Sequence, residues 1–232
     1  MEVIILAGGL GTRLRSVIYD IPKCMAPVCD KPFLHYLLVY LQKYPVKRVI
    51  LSLGYKHKVV SDWIEEHHFP FEITYSIEDE PLGTGGAIKK AIEKAEESTV
   101  LIINGDTFFN IDLNLFYQEH ITTSSMLSIA LKPMQNFDRY GIVNINQRNQ
   151  ITDFKEKNYY EVGQINGGVY LLNVNSDYFK NVPEKFSFET EVLQPEVKNG
   201  QSFGFLHDDY FIDIGIPEDY SKANVDFKIL FK

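Results

Sequence analysis

Three glycines near the N-terminus, Gly8, Gly9 and Gly11, follow a short apolar run and precede a predicted helical turn. Glycine lets the backbone approach phosphate oxygens closely and present several N–H groups to them. Arg13 adds a cation with bidentate geometry, and Lys23 follows ten positions later. The segment is therefore a candidate phosphate-binding loop, and the alternative is a tight turn that only connects two elements.

Two common phosphate-binding motifs do not fit this loop. A Walker A motif needs a lysine followed by serine or threonine after a second glycine, and none occurs here. A dinucleotide-binding fingerprint needs a third glycine at the position of Leu14, which disfavours a nicotinamide-dependent oxidoreductase. A glycosyltransferase would usually bind its metal through an Asp-x-Asp motif, whereas Asp106 is followed by Thr107 and Phe108.

The elements that would position these residues alternate between strand and helix in the first half of the chain. Strands are predicted over residues 3–7, 48–53, 71–77 and 99–103, and helices over 33–41, 59–66 and 84–96. Thr84 is a candidate N-cap of the last of these helices. The alternation implies parallel strands with crossover helices, whose carboxyl ends are where ligands bind. Asp106 follows one such end.

The second half of the chain is richer in strands. Strands are predicted over residues 126–131, 141–145, 151–154 and 169–172, and helices near 189–198 and 218–229. No low-complexity tract, repeat or flexible linker interrupts the chain. We therefore expect a single α/β domain over residues 1–232, with a Rossmann-like, mixed but mostly parallel sheet flanked by helices.

Composition narrows the class of protein. The formal net charge of -8 argues against nucleic acid or an anionic membrane as the partner. No apolar run reaches the ~20 residues that a membrane span needs, and the N-terminus is typical of a buried strand rather than a signal peptide. Cys24 and Cys29 are too few for a disulfide framework. We expect a cytoplasmic protein in a reducing compartment.

The segment from Leu6 to Leu14, followed by Pro22 and Lys23, resembles the signature of the sugar-1-phosphate nucleotidyltransferases. Cys24 stands where that family usually continues with proline. Five later segments resemble the same family in the same order: Glu80–Ala87, Asn104–Asp106, Phe154–Lys157, Asn166–Tyr170, and Phe211–Gly215 with Pro217–Tyr220. The resemblance spans residues 3 to 220 and implies the nucleotide-diphospho-sugar transferase fold, with an NTP-binding half over about 1–110 and a sugar-binding half over about 111–232.

The resemblance also implies a role for each matching residue. Catalytic residues would be Arg13, Lys23 and Asp106, and Mg²⁺ would be held by Asp106 and Asp213. The nucleotide would be bound by Leu6, Ala7, Gly8, Gly9, Gly11, Thr12, Arg13, Lys23, Glu80, Pro81, Gly83 and Thr84. The sugar phosphate would be bound by Asn104, Gly105, Glu156, Lys157, Asn166 and Gly168.

The implied reaction is the attack of a sugar phosphate oxygen on the α-phosphorus of an NTP, with loss of pyrophosphate. A phosphate monoester has a second pKa near ~6, so the nucleophile is largely ionised at pH 7 and needs no general base. The difficulty is to bring two polyanions together, which calls for a metal and fixed cations.

Within the family, Ile50–Lys56, Tyr75–Glu78 and Glu80–Gly86 look most like D-glycero-α-D-manno-heptose 1-phosphate guanylyltransferases, which supply GDP-heptose for bacterial surface polysaccharides. The expected substrates are therefore GTP and the heptose 1-phosphate. Mannose-1-phosphate guanylyltransferases and glucose-1-phosphate thymidylyl- or cytidylyltransferases are the alternatives. A protein of another class, which binds nucleotide sugars without catalysis, would have lost Arg13, Lys23 or a metal-binding aspartate. Apolar residues of the last helix, such as Val225 and Ile229, suggest a homodimer as a hypothesis.

Overall fold

The structure is a computed structural model that describes residues 1–9, 14 and 20–232. The strands of the described residues are β1 (Glu2–Leu6), β2 (Pro27–Val28), β3 (Lys31–Pro32), β4 (Arg48–Leu53), β5 (Glu72–Ile77), β6 (Thr99–Asn104), β7 (Thr107–Phe109), β8 (Leu127–Phe137), β9 (Val143–Ile145), β10 (Ile151–Phe154), β11 (Tyr160–Asn173), β12 (Ser202–Leu206) and β13 (Phe211–Asp213). The α-helices are α1 (Phe33–Leu41), α2 (His57–Glu65), α3 (Gly83–Ile92), α4 (Leu113–Thr122), α5 (Gln194–Glu196) and α6 (Pro217–Leu230).

Seven strands form the central sheet in the order β12-β8-β11-β6-β1-β4-β5. Strands β6, β1, β4 and β5 are parallel, as the alternation of strands and helices predicts. Strand β11 is antiparallel to both of its neighbours, β6 and β8, and β12 runs parallel to β8. The expected mixed, mostly parallel sheet flanked by helices is therefore confirmed.

Both faces of the sheet are buried, which explains why β1 is apolar without alternation. Val3 and Ile5 pack into one core with residues of α1, α2, α4 and α6. Ile4, between them, packs into a second core on the opposite face with Ile88 and Ala91 of α3. Successive side chains of a strand point to opposite faces, so a strand covered on both sides needs apolar residues at every position.

Most predicted elements of the first half lie where the periodicity places them, and α1 and β4 match their predicted bounds. Helix α3 differs, because it ends at Ile92 rather than near residue 96. The prediction that Thr84 caps this helix is wrong. Helix α3 begins at Gly83, and the Thr84 hydroxyl instead donates to Glu189 Oε2 (2.8 Å) and accepts from the Phe188 N–H (2.9 Å).

Strands β8 and β11 are much longer than predicted, and they pair with each other along most of their length. The segment predicted as one helix near residues 189–198 divides into a π-helix (Glu189–Leu193), the short α5 and a 3₁₀ turn (Val197–Asn199). Isolated π-helical turns occur preferentially at functional sites.

Helix α4 and strands β7 and β13 were not predicted from the sequence. Helix α4 begins at Leu113, and its first N–H groups are capped by the Asp112 carboxylate, which accepts from Asn114 (2.9 Å) and Leu115 (3.3 Å). Strands β7 and β13 form a separate two-stranded antiparallel ribbon, and so do β9 and β10. Within the described residues, none of the helices combines the length and apolarity that crossing a membrane would require.

Candidate active site

A cavity of about 390 Å³ lies at the carboxyl end of β6, where β11 and the β7–β13 ribbon meet. Its floor carries Asn104, Asp106 and Asp213, and its wall carries Asn166 and Gly168 of β11. Ligands of open α/β sheets bind outside the carboxyl ends of the strands. Six of the residues proposed from the sequence therefore line one cavity: Asn104, Asp106, Glu156, Lys157, Asn166 and Gly168, together with Asp213 as the second metal candidate.

The β7–β13 ribbon brings the two aspartates together although half of the chain separates them. Thr107, the first residue of β7, pairs with Asp213, the last residue of β13. The Ile214 N–H donates to the backbone oxygen of Asp106 (3.0 Å), which extends the pairing by one residue. This pairing holds the two carboxylates on the same side of the ribbon end.

The Lys23 ammonium lies between these carboxylates. Its Nζ atom is 2.5 Å from Asp106 Oδ2 and 3.5 Å from Asp213 Oδ1. The exposed fractions of the side chains decrease from Asp106 (37%) to Asp213 (19%) and Lys23 (10%). Of the three side chains, Asp106 is therefore the most accessible to a ligand and Lys23 the least.

The surroundings of Asp213 raise the pKa of its carboxyl group. Burial raises the pKa of Asp213, and the adjacent Asp106 charge raises it further. Lys23, the Gly215 N–H and Arg139 favour the ionised form and oppose this rise in the pKa. The Gly215 N–H donates to Asp213 Oδ1 at 2.8 Å, so one oxygen of the carboxylate has a fixed orientation.

The donor set fits a small, hard divalent cation. Two carboxylates lie on either side of the Lys23 ammonium, and carboxylate oxygens are the donors that a hard divalent cation prefers. No cluster of three or more His, Cys, Asp or Glu side chains suited to a metal occurs among the described residues. A pair of carboxylates is nevertheless the usual protein contribution to Mg²⁺, which retains waters and binds substrate phosphates.

The glycine-rich loop begins beside this floor. Leu6 of β1 pairs with Asn104 of β6, and the Gly105 N–H donates to the Leu6 oxygen (2.9 Å). A Cβ on Gly105 would lie 2.6 Å from that oxygen, so the close approach requires glycine. Strand β1 is also where the sheet order reverses, since β4 lies on one side of it and β6 on the other.

Gly8 and Gly9 differ in their surroundings. A Cβ on Gly8 would lie 2.9 Å from Glu78 Oε1, whereas one on Gly9 would meet no described atom within 4 Å. A Cβ on Gly8 would also lie 3.2 Å from the Gly54 backbone nitrogen, so Gly8 is closely packed, whereas Gly9 is open on that side among the described residues. Gly11, Thr12 and Arg13 lie outside the described residues, so their predicted roles remain predictions.

The proposed base and ribose segment contacts the catalytic cavity only indirectly. Glu80, Pro81, Gly83 and Thr84 do not line the cavity, although Thr84 binds Glu189, which does. A Cβ on Gly83, whose φ is +73°, would lie 2.5 Å from the Phe186 oxygen. The Gly85 N–H donates to this same oxygen (3.0 Å). Gly83 therefore also allows α3 to pack against the segment before the π-helix.

The wall of the cavity that carries Asn166 and Gly168 is built around an irregularity in β11. The pairing of β11 with β8 shifts register between Asn166 and Tyr170, and Gly168 there has a φ of +71°. The Asn166 side chain spans the irregularity, accepting from the Gly168 N–H (3.0 Å) and donating to the Tyr170 hydroxyl (2.9 Å). A Cβ on Gly168 would lie 2.6 Å from Asn104 Nδ2, so β6 and β11 meet closely here.

The rim of the cavity is more exposed to solvent than its floor. Lys155, Glu156 and Lys157 are all exposed on the segment that follows β10. The Lys155 N–H donates to the Ile142 oxygen (2.8 Å), which fixes the backbone beneath them. Glu156 and Lys157 therefore border the cavity as exposed side chains that form no ion pair with other described residues.

Sequence reasoning missed several lining residues, among them Tyr140, Tyr170, Glu189 and Phe211. Burial, followed by the Asp213 charge, raises the pKa of Tyr140. Arg139 pairs with Asp219 and lies 3.9 Å from Asp213. The polar loop after β8, which carries Arg139 and Tyr140, was the available signal, since binding residues are frequent on loops held by a rigid scaffold.

Comparison with known proteins identifies one family from both the sequence model and the individual relatives. Residues 2–228 match the sequence model of a family described as nucleotidyl transferase. The D-glycero-alpha-D-manno-heptose 1-phosphate guanylyltransferase of Aneurinibacillus thermoaerophilus is 52% identical over 223 residues, which cover 96% of both chains. The protein of the same name from Campylobacter jejuni is 48% identical and covers 95% of this chain and 97% of its own.

A solved structure also superposes on nearly the whole molecule. HddC from Yersinia pseudotuberculosis is 42% identical and covers 97% of this chain and 99% of its own, with a TM-score of 0.87. A second structure of that protein, complexed with GMP-PN, gives a TM-score of 0.86.

Proposed function

Since this chain belongs to the nucleotidyl transferase family, we propose that it is a sugar-1-phosphate guanylyltransferase. Its substrates are GTP and D-glycero-α-D-manno-heptose 1-phosphate, and its products are GDP-heptose and pyrophosphate. The observation that carries the proposal is the Asp106–Lys23–Asp213 cluster at the floor of the cavity, beside the glycine loop. The choice of base and sugar follows the relatives that are 52% and 48% identical over nearly the full chain.

The reaction forms one bond and breaks one at the α-phosphorus of GTP. An oxygen of the sugar phosphate bonds to this phosphorus, and the bond from it to the bridging oxygen of the β-phosphate breaks, releasing pyrophosphate. The attacking phosphate is already largely ionised at pH 7 because its second pKa is near ~6. In keeping with this, the residues that line the cavity include no histidine.

Each group at the site then has an electrostatic task. Asp106 and Asp213 would hold Mg²⁺, which when bound offsets the negative charge that concentrates between the two substrates. Lys23 supplies a fixed cation next to the same carboxylates. Preorganised charges of this kind stabilise a transition state without any cost of reorganisation. Arg13 would serve the departing β- and γ-phosphates.

The wall and rim bind the sugar phosphate. Asn104 and Asn166 present amide groups from β6 and β11, at the point where Gly168 lets the two strands approach closely. Glu156 accepts from sugar hydroxyls at the rim, and Lys157 pairs with the sugar phosphate. Cys24 and Cys29 are both free thiols, which agrees with the reducing, cytoplasmic location that forms part of the proposal.

The test is pyrophosphate release by the purified chain with Mg²⁺. ATP, GTP, CTP, UTP and dTTP are each paired with heptose-, mannose- and glucose-1-phosphate, and the Asp106→Asn variant serves as the control. We expect release with GTP and the manno-heptose phosphate, and little with the other pairs. Release with another pair would keep the reaction and discard the substrates, and no release with any pair would overturn the proposed enzyme.

A further inference from the structure

Glu189 lines the catalytic cavity, and the proposed reaction gives it no role. It is the first residue of the π-helix, in which the Gln194 N–H donates to the Glu189 backbone oxygen five residues earlier. A turn closed by such a bond places residues four and five positions apart on the same face of the helix. Glu189, Leu193 and Gln194 therefore all border the catalytic cavity, whereas Glu191 does not.

One oxygen of the Glu189 carboxylate is fixed by two hydroxyl groups. The Thr84 hydroxyl donates to Oε2 at 2.8 Å, and the Ser187 hydroxyl donates to the same atom at 2.9 Å. The Thr84 hydroxyl in turn accepts from the Phe188 N–H (2.9 Å), so the first turn of α3 is tied to the start of the π-helix. A carboxylate held in this way presents its other oxygen in a defined position.

The other oxygen of Glu189, Oε1, is available to a ligand. Among the described residues it has no hydrogen-bond donor, and it is not one of the buried side-chain atoms left without a partner. The residue as a whole is only partly buried. Since Glu189 lines the cavity, a ligand bound there can supply the hydrogen bond that Oε1 lacks.

The neighbours of Glu189 place it beside the wall of the cavity that carries Asn166. Burial raises the pKa of Tyr170, and the Glu189 charge raises it further, so this carboxylate lies near the Tyr170 hydroxyl. The same hydroxyl accepts from Asn166 Nδ2 (2.9 Å). Tyr170 therefore links Glu189 to a residue that the proposed function assigns to the sugar phosphate.

A carboxylate oxygen distinguishes between the two ends of a sugar phosphate. It accepts hydrogen bonds and donates none, so it binds the hydroxyl groups of the sugar and repels the phosphate. The phosphate is matched instead by the ammonium groups of Lys155 and Lys157, which line the same cavity. Glu189 therefore suits the part of the substrate that carries the hydroxyl groups.

We propose that Glu189 binds the sugar by accepting a hydrogen bond from one of its hydroxyl groups through Oε1, and that Thr84 is the residue that positions this carboxylate. The inference rests on the proposed function, because it takes the catalytic cavity to be the sugar-phosphate site. Thr84 belongs to the segment predicted to bind the nucleotide. One side chain of that segment therefore fixes a group that recognises the other substrate.

The test measures the Kd of sugar phosphates for the full chain by isothermal titration calorimetry, with Mg²⁺ and a GTP analogue whose α,β-bridging oxygen is replaced by a methylene group. Glu189→Gln keeps an oxygen that accepts from Thr84 and Ser187, but it directs an amide NH₂ group rather than an acceptor towards the sugar. It should weaken binding of the manno-heptose phosphate by about tenfold, since a hydrogen bond to a charged group is lost. Glu191→Gln, on the same π-helix but outside this cavity, is the matched control and should bind as the wild type does.

Ligands that lack one hydroxyl group separate recognition from an effect on folding. Mannose 1-phosphate lacks the C7 hydroxymethyl group of the heptose, and each of its monodeoxy forms lacks one further hydroxyl. One of these ligands should bind the wild type and Glu189→Gln equally, because the hydroxyl that Glu189 recognises is missing from it. Weakening by the same factor for every ligand, or for none, would overturn the role of Glu189.

Thr84→Val tests the positioning role. It keeps the shape of the side chain and removes the hydroxyl, so it should weaken binding of the heptose phosphate by about threefold, and Thr84→Ser should bind more tightly than Thr84→Val. In the Glu189→Gln background, Thr84→Val should have a smaller effect, because the group that it positions has lost its acceptor. Full additivity of the two substitutions would remove Thr84 from this role.

Pyrophosphate release from GTP, measured on the same preparation, tests the proposed function separately. Release by a chain whose sugar-phosphate affinity does not depend on Glu189 would refute the inference alone. Binding that depends on Glu189, without any release, would refute the proposed reaction alone. Binding of no sugar phosphate would overturn both.

Discussion

The floor and the rim of the catalytic cavity are built in opposite ways. At the floor, Lys23, Asp106 and Asp213 hold one another at 2.5 and 3.5 Å, and strand pairing fixes the backbone that carries both acids. At the rim, the Glu156 and Lys157 side chains are exposed. A group that acts on the reacting atoms gains from a fixed position, whereas a group that selects a substrate needs only to reach it.

This contrast assigns different kinetic effects to the two regions. Changes at the floor should lower kcat, because they remove interactions made in the transition state. Changes at the rim should raise KM, because they remove interactions made equally with the bound substrate. The following substitutions test that division.

The largest effect is expected from Asp106→Asn and Asp213→Asn. Each removes a carboxylate that would hold Mg²⁺, so kcat should fall by about 10³-fold or more. The fold should be retained, since an asparagine at 213 still accepts from the Gly215 N–H and one of two repelling charges is lost. The measurements are kcat at saturating Mg²⁺ and the thermal unfolding midpoint. Near-normal turnover in both variants would refute the metal assignment.

Lys23→Met should lower kcat by about 10²-fold and also lower the unfolding midpoint. Without the ammonium ion, the pKa of Asp213 rises further, because Lys23 is among the groups that lower it. Added Mg²⁺ should raise the unfolding midpoint of Lys23→Met more than that of the wild type. Lys58→Met, which breaks an exposed ion pair with Asp62, is the matched control and should change neither quantity. An equal response of both variants to Mg²⁺ would remove Lys23 from the floor cluster.

Lys157→Ala at the rim should raise the KM for the sugar phosphate by about tenfold and leave kcat within about threefold. The lost interaction is a single charge-assisted contact at an exposed position. Steady-state kinetics with varied sugar phosphate at saturating GTP measures both constants. A fall in kcat as large as that of Lys23→Met would show that the floor and the rim are not distinct.

Gly168→Ala should have the smallest effect on turnover and a larger one on stability. A residue at a φ of +71° is strained, and the added Cβ would lie 2.6 Å from Asn104 Nδ2, so the free energy of unfolding should fall by about 1–3 kcal/mol. Gly200→Ala is the control, since Gly200 has a φ of +65° but its nearest neighbour would be 3.7 Å away. Equal losses of stability in the two variants would mean that the close approach to Asn104 does not contribute to the loss in Gly168→Ala.

The first half of the fold was predictable because local signals decide it. Strands β1 and β4 and helix α1 are short, mostly apolar segments bounded by glycine, proline or charged residues, and each forms close to where its pattern ends. Strand β5 follows the alternating pattern of residues 71–77. Strands β8 and β11 were predicted too short because polar residues such as Gln135 and Gln164 continue them beyond their apolar cores. Long-range pairing between two strands, rather than local propensity, sets those ends.

The candidate site was predictable only in part, for a related reason. Asp106 and Asp213 stood out through their short motifs, but nothing local indicated that Lys23 would lie between them. That arrangement depends on the β7–β13 ribbon, whose three-residue strands are too short to show a period. Likewise, the glycines at 83 and 85, in the segment predicted to bind the nucleotide, also lie against the backbone and ring of Phe186, which no local pattern indicated.

The β7–β13 ribbon determines when the cation site can form during synthesis and folding of the chain. Its second strand belongs to the last tenth of the sequence, so a chain still emerging from the ribosome can form the glycine loop and Asp106 well before Asp213 exists. Closing so long a loop is among the slower events of folding, because its entropic cost must be met before the contacts it creates stabilise the chain. A chain in which Asp213 has not yet been synthesised would therefore hold half of a cation site and remain inactive, and turnover would begin only once the ribbon has formed.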